Sequence, residues 1–278
     1  MCQQQISGKF RGALMPSVSV LMGIYNCENT LEAAVESIRA QTFGDWELIL
    51  CDDGSTDGTA ALAEKLCAQD HRLTLLRNEK NLGLPKTLNR CAGRAAGEYF
   101  ARMDGDDLCD PTRFEKEFSL IAGGEFDIVS CGMRLFDDGG VYGERIYKQT
   151  PQCADFIYSS PFCHAGSMFT RKAFEAVGGY SEAEDCLRVE DYDLWFRMYE
   201  AGFRGCNLPE ALYSMRDDRA AAARKKFVYR VNEYRLKRRI IASFHLGAKA
   251  RALSLKPLIL GLCPTFVYRA LHRARHAK

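Results

Sequence analysis

Two hydrophobic periods take turns along the first hundred residues. Residues 18–24, VSVLMGI, form an unbroken apolar run that ends at Tyr25 and Asn26. Such a run predicts a strand covered on both faces. Leu31, Ala34, Val35 and Ile38 then recur at helical spacing, with Asn29 or Thr30 placed as a cap. The pair of signals repeats. WELILC predicts a second strand, DDGSTDGT its loop and TAALAEKLCAQ a second helix. LTLLRN predicts a third strand, and LPKTLNRCAGRAAG a helix ending at Gly97. EYFARM predicts a fourth strand, with DGDD as its loop.

Strands alternating with helices predict an α/β protein with a parallel, doubly wound sheet. Ligands of such sheets bind beyond the carboxyl ends of the strands. The ends of strands one, two and four carry Tyr25-Asn26, Asp52-Asp53 and Asp104-Asp106-Asp107. If these strands are neighbours, their polar ends line one crevice.

The rhythm changes after residue 125. DIVSCGMRLFDDGGVYGERIYK alternates about Gly139-Gly140 and predicts a hairpin. SMFTRKAFEAVGGY predicts a short strand, a short helix and a turn. EDYDLWFRMYEAG begins a helix with three acids and ends it at Gly202, and LPEALYSMR predicts a last strand. From Asp217 to Ile241 the pattern is a basic helix. No repeat or low-complexity linker interrupts the chain, so residues 1–215 are expected to form one domain and 216–278 a basic helical tail.

Charge sharpens that division. The 278 residues carry a net charge of +2, but those from Arg216 onward hold a balance of +14 and those before it −12. A basic tail on an acidic body points to a polyanionic partner, either a membrane surface or nucleic acid. No nucleic-acid motif accompanies the charge, so a membrane surface or simple packing on the head is expected instead. In the membrane case residues 257–268 would sink into the interface while Arg269, Arg273 and Arg275 meet anionic head groups. That stretch, interrupted by Gly261 and Pro264, is too short to span a bilayer. Twelve cysteines occur without a C-x-x-C pair, and the first residues lack a signal-peptide core. Reduced thiols in a cytoplasmic protein, peripheral on the inner face of the membrane, are the expectation.

Three acidic loops carry the candidate chemistry, and each has a plainer explanation. DDGSTDGT suits a turn capped by Asp57 or Ser55; equally, an acid at a strand's end can accept hydrogen bonds from a nucleotide. DGDD suits a solvated turn; alternatively Asp-x-Asp supplies hard oxygen ligands to Mg²⁺ or Mn²⁺, leaving positions for substrate phosphates. In VEDYDLW the acids suit a helix N-terminus; alternatively one is a general base. Trp195 reads as core or as a platform for a sugar ring, and His164 as a structural histidine or a metal or phosphate contact. The dinucleotide and Walker patterns are absent.

Taken in order, PSVSVLMGIYN, DDGSTDGT, NEKNLGLPKTLN, RMDGDD, PFCHAGSMF and EDYDLW resemble the family 2 glycosyltransferases, over roughly residues 16–216. The resemblance is to the bacterial surface-polysaccharide type. It implies a GT-A fold and transfer, with inversion, of a sugar from a nucleotide-sugar donor, uridine-linked by expectation. The acceptor would be a saccharide or a lipid-linked saccharide. It further implies that Tyr25, Asp52 and Asp53 contact the nucleotide and that Asn81 and Gly83 close over it. Arg102 and Asp104 fall on the donor side. Asp106 with Asp104 would hold Mn²⁺ or Mg²⁺. Asp191, with Glu190 beside it, matches the catalytic base, and His164 and Trp195 fall on the acceptor or phosphate side. The Q-x-x-R-W motif of processive synthases is absent. Two rivals remain: a sugar nucleotidyltransferase, and a non-catalytic nucleotide-binding protein at the membrane.

Overall fold

A computed structural model of the chain describes residues 16–217 and 226–262. The first half follows the predicted alternation: β1 (Val18–Ile24), α1 (Leu31–Arg39), β2 (Trp46–Asp52), α2 (Thr59–Gln69), β3 (Leu73–Arg77), α3 (Leu84–Arg94) and β4 (Tyr99–Arg102). The second half holds β5 (Leu108–Cys109), α4 (Arg113–Ile121), β6 (Ile128–Asp137), β7 (Gly140–Arg145), β8 (Ser167–Thr170), α5 (Arg171–Ala176), α6 (Glu190–Glu200) and β9 (Gly205–Arg216). The helices α7 (Phe227–Ser243), α8 (Ala248–Ser254) and α9 (Lys256–Leu262) follow.

One mixed sheet runs in the order β3-β2-β1-β4-β8-β6-β9-β5, with β7 paired to β6. Strands β1 to β4 pair in parallel, and β1 lies between β2 and β4. The crevice condition set by the sequence is therefore met. From β8 onward the pairing is mixed: β8 runs antiparallel to β4 and β6, while β9 returns parallel to β6.

Period two explains why both faces are apolar. Val18, Val20, Met22 and Ile24 of β1 face one core, with α1, α2 and α4; Leu21 faces the other, with α3, α5 and α6. Phe100 and Ala101 of β4 divide in the same way.

α4 was not legible as a buried helix. RFEKEFSLI looks polar, yet Arg113 and Glu117 are both fully buried and pair with each other at 3.2 Å. The guanidinium also donates to the carbonyls of Arg102 and Ser167, which fixes α4 beneath the acidic loop at 103–107. Burial pushes the Glu117 carboxyl up to about 7, against the pull of Arg113.

The tail's first helix is part of the head. Leu236 and Ile240 of α7 belong to the same apolar cluster as Phe100 and Trp195, so residue 216 is not a packing boundary. The tail residues Arg269, Arg273 and Arg275, and the end of the 257–268 stretch, lie outside the described residues. Among the described residues no helix is long and apolar enough to cross a membrane. The ten described cysteines are free thiols.

The buried ion pair yields a stability prediction. Glu117→Ala strands the Arg113 charge and costs about 3–5 kcal/mol in urea unfolding, whereas the double replacement Arg113→Met, Glu117→Leu recovers most of it.

Candidate active site

The site starts at the ends of β1 and β2. Tyr25 stands 47% exposed just past β1. Asp53 follows β2 and is buried; its Oδ1 accepts from the Asn78 amide at 2.7 Å and the Leu82 N–H at 2.8 Å, and its Oδ2 from the Gly83 N–H at 2.9 Å. A single carboxylate thus holds the loop that opens α3. Gly83 has φ +88°, a conformation that strains any side chain, though space beside it is open. Asp52 does not reach the cleft wall. Its Oδ1 accepts from the N–H and hydroxyl of Ser55, so the expected nucleotide contact is instead the brace of its own turn. Asn26 completes that turn by accepting from the Thr56 N–H at 2.9 Å.

The loop behind β4 gives its three acids three different situations. Asp107 is buried, accepting from the Arg216 N–H and the Tyr213 hydroxyl, both at 2.7 Å. The same hydroxyl accepts from the Asp104 N–H at 3.2 Å. Asp104 pairs with Arg102, whose guanidinium is fully buried. Asp106 is the most exposed of the three, although its carboxyl is partly dehydrated. Desolvation first, then the Asp104 charge, pushes the Asp106 carboxyl up, and the same causes push Asp107 up further. Thr30, expected to cap α1, instead donates to the carbonyls of Cys27 and Gly105 and ties β1 to this loop.

Opposite stands the N-terminus of α6. Glu190 lines the cleft, and its buried Oε2 has no hydrogen-bond partner. Burial, then the Asp191 charge, pushes the Glu190 carboxyl up. Burial likewise raises Asp191, while helix N–H groups, the Ser160 hydroxyl and Arg102 pull the other way. Arg102 is thus within electrostatic reach of Asp104, Asp106 and Asp191, so the two acidic walls face one interior cation. Between them lies a cleft of about 340 Å³, lined by Tyr25, Asp53, Asn81 and Gly83 on one side and Arg188, Glu190 and Tyr229 on the other.

Three of the expected contacts are corrected by burial. Arg102 is sealed beneath Asp104, so it steadies an acid rather than touching a donor. Trp195 is fully buried against Phe162, Phe169 and His164 and offers no face to a sugar. His164 bonds the Tyr180 hydroxyl through Nε2 at 2.7 Å. Burial, then the nearby Arg102 charge, holds its imidazole well below the usual histidine range, so it is neutral and no cationic phosphate contact.

Other residues arrive without a motif. Tyr180 is buried near Arg102, Asp104 and Asp191. Arg188, at φ +67°, holds a backbone conformation that non-glycine residues rarely adopt. Asn232 of α7 donates to the carbonyls of Glu184 and Leu187, fixing the segment that leads to Arg188. Asp193 accepts from Arg197 at 2.6 Å and from Arg239 of α7 at 2.8 Å, which locks α6 in place. No pattern in the sequence pointed to these residues.

The chain matches the sequence model of "Glycosyl transferase family 2" over residues 19–178. It belongs to that family. The family 2 chain is 41% identical to the Bacillus subtilis protein named as the glycosyltransferase EpsE, over 94% of each chain. It is 33% identical to the amylovoran biosynthesis glycosyltransferase AmsE of Erwinia amylovora, over 71% of this chain and 75% of that one. Its fold is GT-A. Staphylococcus aureus TarS 1–349 in complex with UDP-GlcNAc superposes with a TM-score of 0.67 at 20% identity, over 88% of this chain and 71% of that one. The Pyrobaculum calidifontis mannosyltransferase PcManGT, in complex with GDP-Man and Mn²⁺, gives 0.62 at 18%, over 94% and 81%.

Among the described residues no group of three His, Cys, Asp or Glu side chains closes a metal site. Asp104 and Asp106, two residues apart, offer the hard oxygen donors that suit Mg²⁺ or Mn²⁺, and the Asp106 carboxyl, raised by burial and then by Asp104, lacks an opposite charge in direct contact among the described residues.

Neighbouring acids should therefore behave differently. Asp107→Ala leaves the Tyr213 hydroxyl and Arg216 N–H unpaired and costs about 1–3 kcal/mol in denaturant unfolding. Asp106→Asn leaves stability unchanged or slightly higher, and loses the effect of Mn²⁺ on nucleotide binding by calorimetry.

Proposed function

We propose that this enzyme is an inverting glycosyltransferase that moves a sugar from a nucleotide-sugar donor, uridine-linked in our reading, to a hydroxyl of a saccharide or lipid-linked saccharide. The name of AmsE, an amylovoran biosynthesis glycosyltransferase, supports our reading of a place in surface polysaccharide or glycolipid synthesis. One observation carries the reading. A nucleotide-sized cleft at the ends of β1 and β2 has Glu190 of α6 on its far wall with Asp191 next in sequence, and the loop of Asp104 and Asp106 follows β4, the strand beside β1.

Tyr25, Asn81 and the Gly83 loop would seat the nucleotide, with Asp53 holding that loop in shape. Arg188 faces the position of a diphosphate. Asp106, with Asp104, would hold Mn²⁺ or Mg²⁺, which when bound offsets the charge growing on the leaving diphosphate. Asp191 accepts the proton of the acceptor hydroxyl as that oxygen attacks the anomeric carbon. The attack comes from the face opposite the leaving group, so one displacement inverts the centre. A raised carboxyl is a stronger base than an ordinary one and loses less solvation as it accepts the proton. Burial keeps the Asp191 charge unfavourable and therefore reactive.

Asp191→Asn is expected to bind donor with little change, and to lose about 10²–10⁴-fold in kcat. The parent's activity should rise with pH through an acid limb above the ordinary carboxylate range, because Asp191 must be deprotonated to act; the variant should lack that limb. Unchanged turnover in the variant, or release of pyrophosphate instead of UDP, would refute the assignment.

The tail fits a membrane surface in this reading. Ile259 and Leu262 are 61% and 78% exposed beside Lys249, Arg251 and Lys256. The protein should sediment with phosphatidylglycerol vesicles, release in high salt and ignore phosphatidylcholine vesicles.

A further inference from the structure

A second cavity, of about 390 Å³, opens between the end of β7 and residues 151–161. It is separate from the nucleotide cleft, yet α6 stands between the two. Glu190 lines the cleft, while Ser160, on the wall of the groove, lies against the Asp191 carboxylate. Tyr147, also on that wall, is within electrostatic reach of Asp191. Glu190 thus borders one cavity, while Asp191 bonds a wall residue of the other.

The groove has its own chemistry. Tyr158 stands 55% exposed and offers an aromatic face for a pyranose ring. Lys148 and Asp155 neutralise each other at 2.7 Å. Glu144 stands opposite Arg134 in the β6–β7 register and also lines the groove, so an anion there meets this carboxylate as well as Arg145. Arg145 has no carboxylate partner among the described residues. Its guanidinium rests 4.4 Å above the Tyr147 ring and makes one bond of 3.3 Å, to the Ser159 hydroxyl. The remaining N–H donors of that planar fork suit a carboxylate or a phosphate.

Building on the transferase reading, we propose that this groove is the acceptor site and that the acceptor carries an anionic group, a carboxylate or a phosphate, which Arg145 binds while Tyr158 stacks on the sugar. The anion would fix the acceptor's register, so that one hydroxyl points at Asp191.

Saturation-transfer NMR titrations on the full chain would test this, using methyl β-glucuronide, glucose 1-phosphate and methyl β-glucoside as probes. At least one anionic probe should bind about 10-fold more tightly than the neutral glycoside. Arg145→Gln should erase that advantage, and Tyr158→Ala should weaken all three. Neither variant should move UDP affinity or melting temperature. Preference for the glucuronide alone, or for the phosphate alone, supports the proposal and names the source of the anion. Equal binding of all three probes, or an anion preference that survives Arg145→Gln, overturns it. Failure of the transferase reading looks different: nucleotide sugars neither bind nor turn over, whatever the groove does.

Discussion

The candidate site is organised around a cation that has no access to water. Arg102 ends β4 fully buried, and a guanidinium cannot shed its proton to escape the cost of burial. Compensation has to come from its neighbours. Asp104 supplies a carboxylate, the Met103 carbonyl accepts a hydrogen bond, and the Asp191 charge acts through the interior. Burial first, and then the same positive charge, keeps His164 neutral and leaves its ring nitrogen to the Tyr180 hydroxyl. Two acidic walls that would otherwise repel each other can stand across a narrow cleft because this charge lies beneath both.

Sheet order makes that arrangement possible. Because β1 lies between β2 and β4, three loops emerge at one edge of the parallel half. The antiparallel return of β8 and the parallel return of β9 then carry the second half of the chain across the same edge. Tyr213 of β9 shows the consequence: one hydroxyl bridges Asp107 and the Asp104 N–H. The acidic loop is held from both halves, which is why its middle acid can be left exposed without the loop collapsing.

Much of this was legible, for a specific reason. A strand buried on both faces and a helix with one apolar stripe leave different periods, and the first seven elements follow those periods closely. The acids at strand ends were visible because a parallel sheet places all such ends together. The failures share a cause as well. Arg113, Glu117 and Lys237 look solvated in one dimension, but each is buried and finds its opposite charge one helical turn away, Arg113 and Glu117 in each other and Lys237 in the half-buried Glu233. Asp52 and Asp53 look equivalent in sequence, yet one braces a turn and the other a neighbouring loop. Tyr229 reaches the cleft from a helix some 40 residues past the last motif, and no local pattern encodes that.

The acid pair on α6 explains why α7 is packed so firmly. Glu190 and Asp191 are adjacent like charges in a partly dehydrated place, and both would gain solvation if α6 shifted toward water. Their raised affinity for protons measures that tendency: the folded chain holds them less favourably as anions than water would. Three contacts oppose the shift. Arg239 of α7 and Arg197 grip Asp193 from two sides, and Asn232 pins the segment before Arg188. Arg188 itself holds a rarely adopted positive φ of +67°, and its backbone N–H and charge both act on the Glu190 carboxyl. A helix that looked like a detachable basic tail is therefore the clamp that holds α6 and its acid pair in place.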